Sequence, residues 1–420
     1  MCISLGELGE ADLSINLLVL ASTYPRWAGD PEPSFVHELA RRMGMGFRVI
    51  VVCPHAPGAK QRELLDGVEV VRYRYAPERL ETLVNDGGIV ANLKARWWKL
   101  LLVPGFVFAQ AWCAWKICRR SRIDVIHAHW IVPQGLIAWF LRVMSRRDLP
   151  FLVTSHGADL YALRGRVFEE LKRAVLRRSG NVTVVSEAMR TAVAGLGVEP
   201  SKVEVRPMGV DMSQRFTLPA ADSRSHYELL FVGRLVEKKG LRYLLDALPA
   251  VLRQRPQTQL TVAGFGPEEA QLRATARRLG VDQAIRFLGP VPQSELPALY
   301  QRAALFVAPF VTAATGDEEG LGLVVVEAIA CGCPVLTGNV AAARQVFGSR
   351  FEAMTVDPTD AASLAGRIID LLNDPSRAQA DVIALRDEIC LRMDWSAVAS
   401  GYRDLLTSMA GRPRGNRAAT

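Results

Sequence analysis

The first half of the chain alternates short apolar runs with stretches that have helical spacing. The runs INLLVLAS and FRVIVVCP predict buried strands, and SFVHELARRM between them predicts a helix. Four further runs predict strands in the same way, each separated from the next by helical sequence: GVEVVRYRY, DVIHAHW, FLVTSHG and NVTVVS. Because strands and helices alternate, the pattern predicts a parallel, doubly wound sheet.

The same alternation restarts after a polar stretch without periodicity, SQRFTLPAADSRSHYE, which predicts a connector between two domains. Six apolar runs follow, with helical stretches such as GLRYLLDALPAVLRQR between them: LLFVGRLV, LTVAGFG, AIRFLG, LFVAPF, PVLTG and AMTVDP. We therefore predict an α/β fold with two Rossmann-like doubly wound domains that face a cleft. The predicted bounds are residues 1–212 and 213–390 for the domains, 391–410 for a C-terminal helix and 411–420 for a basic flexible tail.

The composition is that of a globular, basic protein. The chain has 420 residues, of which 50% are hydrophobic and 22% charged, and its formal net charge of +8 favours anionic partners. Such partners are nucleic acid, a membrane surface and phosphorylated small molecules. Nucleic acid is the weakest candidate of the three, because the aromatic residues do not alternate with basic ones and no zinc-finger or helix-turn-helix signature occurs. The N-terminal sequence lacks the features of a secretory signal and the seven cysteines are scattered, so we predict reduced thiols in the cytoplasm.

One segment, residues 93–122, bears on membranes. Its uninterrupted apolar part, residues 100–109, is shorter than the about 20 residues of a bilayer helix, so the segment is not expected to span. Tryptophans stand near lysines and arginines in it, a pairing that suits peripheral contact with the anionic inner face of a membrane. The alternative is a pair of core helices whose long side chains reach solvent, and the sequence favours neither.

Two carboxylates, Glu319 and Glu327, bracket an apolar run in EEGLGLVVVEAIACGCPV. If a helix begins near Gly320 and ends near Gly332, the two acids are separated by roughly 12 Å along its axis and cannot share a proton. They can instead contact opposite ends of an elongated ligand, while the free amides of residues 320–323 bind an anion. A nucleotide sugar has that shape. The alternative is a surface helix with a solvated Glu327; the apolar neighbours LVVVEAIA argue against it, but this stretch alone does not decide between the two.

This stretch resembles the E-x7-E signature of family 4 glycosyltransferases, which have the GT-B architecture of two Rossmann-like domains around a cleft. Three segments are similar to successive units of that family's C-terminal domain: LLFVGRLVEKKGLRYLLDA, LTVAGFGPEEAQL and AIRFLGPVPQSELPALYQRAALFVAP. DVIHAHW and TSHGADL match its N-terminal domain more loosely, and MDWSAVASGYRDLLTSM resembles the final helix, which crosses back to that domain. The resemblance implies a hexosyltransferase that uses a nucleoside diphosphate sugar. Uridine diphosphate is the commonest carrier and is expected here, while guanosine and adenosine forms remain open.

The resemblance also implies a role for each matching residue. Arg234 and Lys239 correspond to the pair that neutralises the leaving diphosphate, while the adjacent Lys238 is expected to be a solvated lysine. Glu319 corresponds to an acid near the donor sugar and Glu327 to one that accepts ribose hydroxyls. The expected catalytic residues are His156, Arg234, Lys239 and Glu319. The expected donor-binding residues are Glu327, Gly320, Leu321, Gly322, Leu323, Gly264 and Arg286.

Two features of the N-terminal half concern the acceptor side and metals. His127 and His129 alternate, so we expect one to face the core and the other the cleft, and we do not expect zinc without a third ligand. The loop STYPRWAGDPEPSF lacks the paired glycines that are usual in the family. Its residues Arg26, Trp27 and Asp30 are candidate acceptor contacts, with turn chemistry as the alternative.

The implied reaction needs neither a metal nor a cofactor. No D-x-D-type acidic pair stands between the predicted strands, and the cations of Arg234 and Lys239 can take the place of a metal on the diphosphate. The resemblance implies front-face substitution with retention, in which the departing phosphate takes the acceptor proton. The expected acceptor is a glycan or a lipid-linked molecule in cell-envelope or exopolysaccharide synthesis.

Two other functions remain open. A nucleotide-sugar 2-epimerase has the same architecture, but the basic loop GRLVEKKG together with E-x7-E favours transfer. A catalytically silent carbohydrate-binding relative is the second alternative, and the complete set of candidate residues argues against it. A nicotinamide-dependent dehydrogenase is disfavoured because the first strand is not followed by a Gly-x-Gly-x-x-Gly fingerprint.

Overall fold

The computed structural model describes residues 14–411, except for residues 31–33, 45, 85–87, 146–147, 164, 221–223 and 315. The chain forms two compact units, Met1–Arg206 with Val398–Thr420, and Pro207–Ala397. Most of the N-terminal segment considered as a secretory signal, and residues 412–420 of the predicted tail, lie outside the described residues.

The first unit contains an eight-stranded sheet in its described part. Its strands are β1 Ile15–Leu20, β2 Phe47–Pro54, β3 Arg62–Leu65, β4 Val68–Tyr73, β5 Val125–His129, β6 Phe151–Ser155, β7 Asn181–Val184 and β8 Val203–Val205. The strand order is β3-β4-β2-β1-β5-β6-β7-β8. All neighbours pair in parallel except β3 and β4, which form an antiparallel pair at one edge. The order reverses between β1 and β5, as expected for a doubly wound sheet.

The helices of the first unit cover both faces of this sheet, which is why its central strands are apolar on both sides. They are α1 Phe35–Arg41, α2 Gly88–Ala95, α3 Val103–Arg120, α4 Leu136–Met144, α5 Ala158–Tyr161, α6 Arg166–Arg178 and α7 Glu187–Gly195. Leu18, Leu20 and Val51 are fully buried in the resulting core. Ser186 caps α7 by accepting a hydrogen bond from the Met189 amide.

The second unit contains a six-stranded sheet in its described part, and every pairing in it is parallel. Its strands are β9 Glu228–Val232, β10 Gln259–Ala263, β11 Ile285–Gly289, β12 Leu305–Ala308, β13 Val335–Gly338 and β14 Thr355–Val356. The strand order β11-β10-β9-β12-β13-β14 reverses between β9 and β12. In open α/β sheets, ligands bind outside the carboxyl ends of the strands at such a reversal.

The helices of the second unit are α8 Leu241–Gln254, α9 Glu269–Arg278, α10 Leu296–Arg302, α11 Leu323–Ala330, α12 Ala341–Phe347, α13 Phe351–Met354, α14 Ala361–Asn373 and α15 Pro375–Met393. The last helix, α16 Trp395–Ala410, begins in this unit, and from Val398 onward it belongs to the first unit. There Tyr402 donates a hydrogen bond to Thr183 and Arg403 donates one to the Arg42 carbonyl.

The predicted α/β fold of two doubly wound sheets is confirmed, with local differences. The chain passes between the units at Arg206–Pro207 and Ala397–Val398, not within residues 213–228. Phe216, in the predicted connector, is buried in the core of the second unit. The antiparallel strand β3 was not predicted, because a short edge strand of mostly polar residues lacks the apolar signal of a buried one.

The Trp-rich segment forms one continuous helical stretch. A 3-10 helix, Trp97–Leu102, runs directly into α3, and the combined helix is long and apolar enough by length and composition to cross a membrane. This exceeds the ten-residue run behind the prediction, because Pro104 stands in the first turn of α3, where proline is tolerated. One face of α3 is nevertheless buried in the first unit, where Gln110 donates hydrogen bonds to the carbonyls of Ala21 and Val52.

Candidate active site

The candidate residues of the second unit gather where its strand order reverses. The loop after β9 carries Arg234 and Lys239, and the loop after β12 carries Glu319. Backbone hydrogen bonds hold the two loops together, since the Val311 amide donates to the Lys238 carbonyl at 3.1 Å. The geometry therefore brings a basic loop and an acidic loop together at the carboxyl edge of the sheet.

Lys239 and Glu319 form the central contact of this edge. Lys239 Nζ lies 2.7 Å from Glu319 Oε2, and both side chains are mostly buried. Lys239 Nζ also lies 4.7 Å from the ring centroid of Phe310, so an aromatic face shields the pair from one side. A partly buried pair of this kind can exchange partners when a more strongly charged ligand arrives, because desolvation limits its net stability.

The helix that follows begins later than predicted. It starts at Leu323, and Gly322 precedes it with φ +73°, a left-handed conformation that favours glycine. The predicted start near Gly320 is therefore wrong, and the separation of roughly 12 Å along one helix does not apply, because Glu319 lies in the preceding loop. Glu319 Oε1 accepts a hydrogen bond from the Gly322 amide at 3.3 Å, so this acid occupies the N-terminal end of the helix.

Glu327 is on the helix and is 6% exposed. Its Oε2 accepts a hydrogen bond of 3.0 Å from the hydroxyl of Tyr300, which is also buried. Burial raises the pKa of Glu327 to about 7, although the hydrogen bond from Tyr300 and the nearby cations Arg215 and Lys239 act in the opposite direction. The solvated surface acid that was the alternative is thus contradicted, and Lys239 is close to both acids.

Arg234 is exposed and directly follows Gly233, where a Cβ would lie 3.6 Å from Lys239 Cδ. Its loop is packed tightly against the next one: a Cβ on Gly264, which has φ +146°, would lie 1.9 Å from the Gly233 carbonyl oxygen. Gly264 therefore has a packing role next to Arg234, in addition to the predicted binding role. A Cβ on Gly320 would meet no atom within 4 Å, so the backbone there is open to a ligand.

Arg286 does not join this group. It is the second residue of β11 and pairs in register with Thr261, below the carboxyl ends of the strands. It acts electrostatically on Glu228, the first residue of β9, which also binds Arg302. The structure thus places Arg286 toward the amino edge of the sheet, away from the loops that carry Lys239 and Glu319.

Lys238 braces the acidic loop and is not a solvated lysine, which corrects the prediction. Its Nζ lies 3.2 Å from Asp317 Oδ1 and donates to the Glu318 carbonyl at 3.1 Å. Glu237 also supports the loop, by accepting a hydrogen bond from the Ala314 amide. Among the described residues, no group of three or more histidines, cysteines, aspartates or glutamates is arranged to hold a metal ion.

Three of the five histidines of the first unit, His127, His129 and His156, lie together at the carboxyl ends of β5 and β6, and the first two are buried. His127 and His129 point to the same face of β5, with ring centroids 4.1 Å apart, so the prediction of opposite faces is wrong. Residues i and i+2 of a strand share a face. His129 Nδ1 lies 3.0 Å from His156 Nε2, and the rings of Phe35 and Trp130 surround His156.

Burial keeps these histidines neutral. It lowers the pKa of His156 to about 3 and that of His129 well below its ordinary value. His156 Nδ1 is buried without a hydrogen-bond partner in the described part of the chain. A neutral imidazole with a free ring nitrogen can donate to, or accept from, a sugar hydroxyl.

The three candidate acceptor residues of the first loop largely satisfy one another. Arg26 donates through Nε and Nη2 to both oxygens of Asp30, and the guanidinium lies 4.5 Å from the Trp27 ring centroid. The Asp30 carboxylate also accepts from the Arg26 amide. This geometry favours the turn interpretation for Asp30, while Trp27 is exposed and stays a candidate acceptor contact.

Comparisons with known proteins show which family the chain belongs to. Residues 34–214 match the family model Glycosyltransferase Family 4, and residues 221–384 match Glycosyl transferases group 1. A phosphatidyl-myo-inositol mannosyltransferase of Mycobacterium leprae is 30% identical over 84% of this chain and 94% of its own. The chain belongs to glycosyltransferase family 4.

The family 4 enzyme is also similar to a further relative and to two solved structures. A glycogen synthase of Mycobacterium tuberculosis is 32% identical over 67% of this chain and 68% of its own. Sucrose-phosphate synthase from Thermosynechococcus elongatus covers 94% of this chain and 100% of its own at 22% identity, with a TM-score of 0.72. Anabaena HepE in complex with UDP and glucose has a TM-score of 0.67 at 18% identity over 94% and 100%. These structures confirm the GT-B fold, and the relatives confirm a hexosyltransferase.

Sequence reasoning missed Tyr300 and Phe310 in this candidate site. Tyr300 holds Glu327 from α10, and Phe310 lies under Lys239 in the loop after β12. Both are aromatic residues in apolar surroundings, so their sequence signal is that of ordinary core residues. The periodicity of LPALYQR could have placed Tyr300 on the buried face, but not against the acid.

Proposed function

We propose that the enzyme transfers a hexose, with retention of anomeric configuration and without a metal, from a nucleoside diphosphate sugar to a glycan or lipid-linked acceptor. The observation that carries the proposal is the Lys239–Glu319 ion pair of 2.7 Å at the strand-order reversal, with an exposed Arg234 in the same loop as Lys239. A sugar diphosphate combines two anionic groups with hydroxyls at each end. The site offers cations, free amides and acids for these groups in one neighbourhood.

In the proposed binding step, Lys239 exchanges Glu319 for phosphate oxygens. Glu319 is then free to accept hydrogen bonds from hydroxyls of the donor hexose, while Glu327 accepts those of the ribose. Gly320, Leu321, Gly322 and Leu323 supply backbone to the ligand, and the open space at Gly320 supports close approach. His156 keeps the role beside the donor hexose that the resemblance implies, and its free Nδ1 supports that role.

In the proposed chemical step, cleavage of the bond between the sugar and the diphosphate builds negative charge on the leaving oxygen. Arg234 and Lys239 stabilise that charge more in the transition state than in the ground state, and this difference accelerates the step. The departing phosphate oxygen takes the proton of the acceptor hydroxyl as the new glycosidic bond forms on the same face. Fixed cations in this position can replace a divalent metal ion in stabilising the charge of the diphosphate.

Uridine diphosphate is the proposed nucleotide, because HepE, which has the same fold, was solved with UDP and with UDP-glucose. The acceptor class is supported by relatives whose names give phosphatidyl-myo-inositol and glycogen chemistry. We place the reaction in cell-envelope or exopolysaccharide synthesis, at the cytoplasmic face of the membrane.

The donor can be tested by thermal shift with UDP, GDP and ADP. A ligand at about 100 times its Kd stabilises the folded state by about 2.7 kcal/mol, which gives a clear increase in Tm. UDP is expected to give the largest increase, and no increase with any of the three would contradict the donor site. Nuclear magnetic resonance of the product made from an α-linked donor then reports retention or inversion, and a chelator tests metal independence.

Two variants separate the proposed site from general charge effects. Arg234→Ala is expected to lower kcat/KM by about 10²- to 10³-fold, the typical effect of removing one group that stabilises developing charge. Arg242→Ala is the matched control, since Arg242 is also exposed and lies on α8 of the same unit. Equal activity of the two variants would remove Arg234 from the mechanism. If the enzyme converts the donor to its 2-epimer in the absence of acceptor, the protein is an epimerase and the proposed transfer reaction is wrong.

Peripheral membrane contact is the second part of the proposal. Trp97, Leu101 and Phe108 are 76%, 78% and 70% exposed along the helical stretch Trp97–Arg120, and Arg119 and Arg120 stand exposed at its end. Because the opposite face of α3 is buried in the first unit, we propose that this stretch lies on the membrane and does not cross it. Cosedimentation with anionic vesicles at low salt, and its loss at high salt, is the expected result.

A further inference from the structure

A groove in the first unit runs between α3 and the edge strands β3 and β4. Its volume is about 770 Å³, and it shares Arg62, Cys113 and Lys116 with a smaller cavity of about 110 Å³ beside it. One face of α3 forms the wall of the groove from Gly105 to Arg120, a length of roughly 22 Å at 1.5 Å per residue. None of the candidate active-site residues lines it.

The α3 wall has an apolar half and a cationic half. Phe108 and Trp112 form the apolar half, with stacked rings whose centroids are 6.4 Å apart and with exposed outer faces. Lys116 and Arg120 continue the same helical face, and Arg62 of β3 stands opposite them. Lys116 Nζ lies 5.0 Å from the Trp112 ring centroid, where the two halves meet. Such a wall matches a ligand that has an apolar part and an anionic part.

The cationic half is not neutralised within the protein. In the described residues, no carboxylate forms an ion pair with Arg62, Lys116 or Arg120. Glu69 lines the smaller cavity, but it is paired with Arg48 at 3.2 Å. Burial raises the pKa of the Cys113 thiol while Arg62 and Lys116 act in the opposite direction, so both cations lie near this one side chain. Three cations from two elements therefore line both cavities, and the acid that lines one of them, Glu69, is paired with a different cation.

One residue that lines the groove, Tyr73, carries a buried polar group without a partner in the described part of the chain. Tyr73 lines the groove and is 4% exposed, and its hydroxyl has no hydrogen-bond partner in the described part of the chain. Burial raises the pKa of Tyr73, so the hydroxyl keeps its proton and can donate. A buried donor without a partner is unfavourable, and an oxygen atom of a bound ligand would satisfy it.

We propose that this groove binds one anionic phospholipid. The phosphate lies among Arg62, Lys116 and Arg120, the apolar chain lies along Phe108 and Trp112, and a lipid oxygen accepts from Tyr73. The site adds a defined lipid contact to the proposed peripheral membrane contact, and it does not depend on the transfer reaction. A free phosphate would use the cations alone and would leave the apolar half without a function.

Titration calorimetry with a soluble short-chain lipid tests the site without a membrane surface. The full chain is titrated with monomeric dihexanoyl phosphatidylglycerol, with dihexanoyl phosphatidylcholine and with inorganic phosphate. Phosphatidylglycerol is expected to bind with one site per chain, and phosphatidylcholine at least about tenfold more weakly because it has no net charge. Equal affinity for the two lipids, or binding of inorganic phosphate as tight as that of phosphatidylglycerol, would overturn the proposal.

Two double variants carry the same change in charge. Lys116→Ala with Arg120→Ala should weaken phosphatidylglycerol binding at least about tenfold, since charged hydrogen bonds are lost. Arg119→Ala with Arg122→Ala is the matched control, because both residues are exposed cations near the end of the same helix but do not line the groove. Equal loss in the two double variants would show attraction by net charge alone and would exclude a defined site.

Tyr73→Phe gives a readout that does not depend on charge. The variant keeps the ring against Phe106 and removes the unpaired hydroxyl, so the Tm of the ligand-free protein should stay the same or rise. Lipid binding should weaken about fivefold, the effect of one hydrogen bond. Unchanged lipid affinity in this variant would contradict the assigned contact. Transfer activity toward a soluble acceptor serves as the check that the donor site remains intact.

Discussion

Glu327→Gln should make the enzyme more stable at alkaline pH and less able to use its donor. Burial raises the pKa of Glu327 from 4.5 to about 7. Between these values the folded protein holds a proton that the unfolded chain has released, so the free energy of unfolding falls as pH rises through this window. The difference corresponds to about 3 kcal/mol, which is lost once the pH is above about 7.

The glutamine side chain is close in size and can still accept a hydrogen bond from Tyr300, but it carries no charge to bury. At about pH 8 the variant should therefore unfold at a Tm higher by roughly 6–12 °C, and at about pH 5 the two proteins should differ little. Scanning calorimetry at both pH values measures this difference. Glu352→Gln is the matched control, since the same change at an exposed position should leave the Tm unchanged.

Activity should change in the opposite direction. Ribose hydroxyls donate to the ionised carboxylate in the proposed complex, so kcat/KM for the donor should rise with pH through about 7 in the wild-type enzyme. Glu327→Gln should lower kcat/KM and remove that ionisation. A variant that is less stable at about pH 8, or that keeps the wild-type pH profile, would refute the reasoning, because the carboxylate would then be satisfied in the free protein.

Two further predictions concern the loops around Lys239. Gly264→Ala should lower the Tm, because its Cβ would lie 1.9 Å from the Gly233 carbonyl oxygen. Gly320→Ala should leave the Tm unchanged and weaken donor binding, because its Cβ would meet only a bound ligand. Calorimetry measures the Tm and titration the donor affinity, and a normal donor affinity in Gly320→Ala would contradict a ligand at that position. Lys239→Met and Glu319→Gln should each lower the free energy of unfolding. The double variant should be about 1 kcal/mol more stable than the sum of the two single effects predicts. Additive effects in urea unfolding would mean that the ion pair contributes nothing to stability.

The sequence predicted most of the strands because their apolar runs are short and separated by clear helical periodicity. The run INLLVLAS became β1 and LTVAGFG supplied β10. The signal failed where residues pair at an edge: Arg62–Leu65 is mostly polar and gains its partner only through a turn at Asp66 and Gly67. Hydrophobic periodicity reflects which side chains of a segment are buried, and an edge strand with few buried side chains gives only a weak pattern.

The sequence supplied candidate residues for the site but not their arrangement, and their roles stay predictions. The sequence gives the order of Arg234, Lys239 and Glu319, yet only the strand order brings the loops after β9 and β12 together. The start of the helix at Leu323 was missed because Gly322 takes a left-handed conformation. A glycine permits this conformation, but its presence in a sequence does not predict it. The faces of His127 and His129 were a different kind of error, since strand geometry alone puts alternate residues on one face.

The unfavourable features of the second unit are concentrated around the proposed donor site. A buried acid with a raised pKa, a lysine paired with a second acid, and glycines in left-handed or tightly packed backbone all lie near the strand-order reversal. In a protein selected for stability alone, apolar residues could replace the Lys239–Glu319 pair at little cost. A sugar diphosphate supplies phosphate oxygens for Lys239 and hydroxyls for Glu319 and Glu327, so the bound state would satisfy groups that strain the free one. Donor binding should therefore stabilise the second unit most strongly above about pH 7, where Glu327 is ionised and its burial is least favourable.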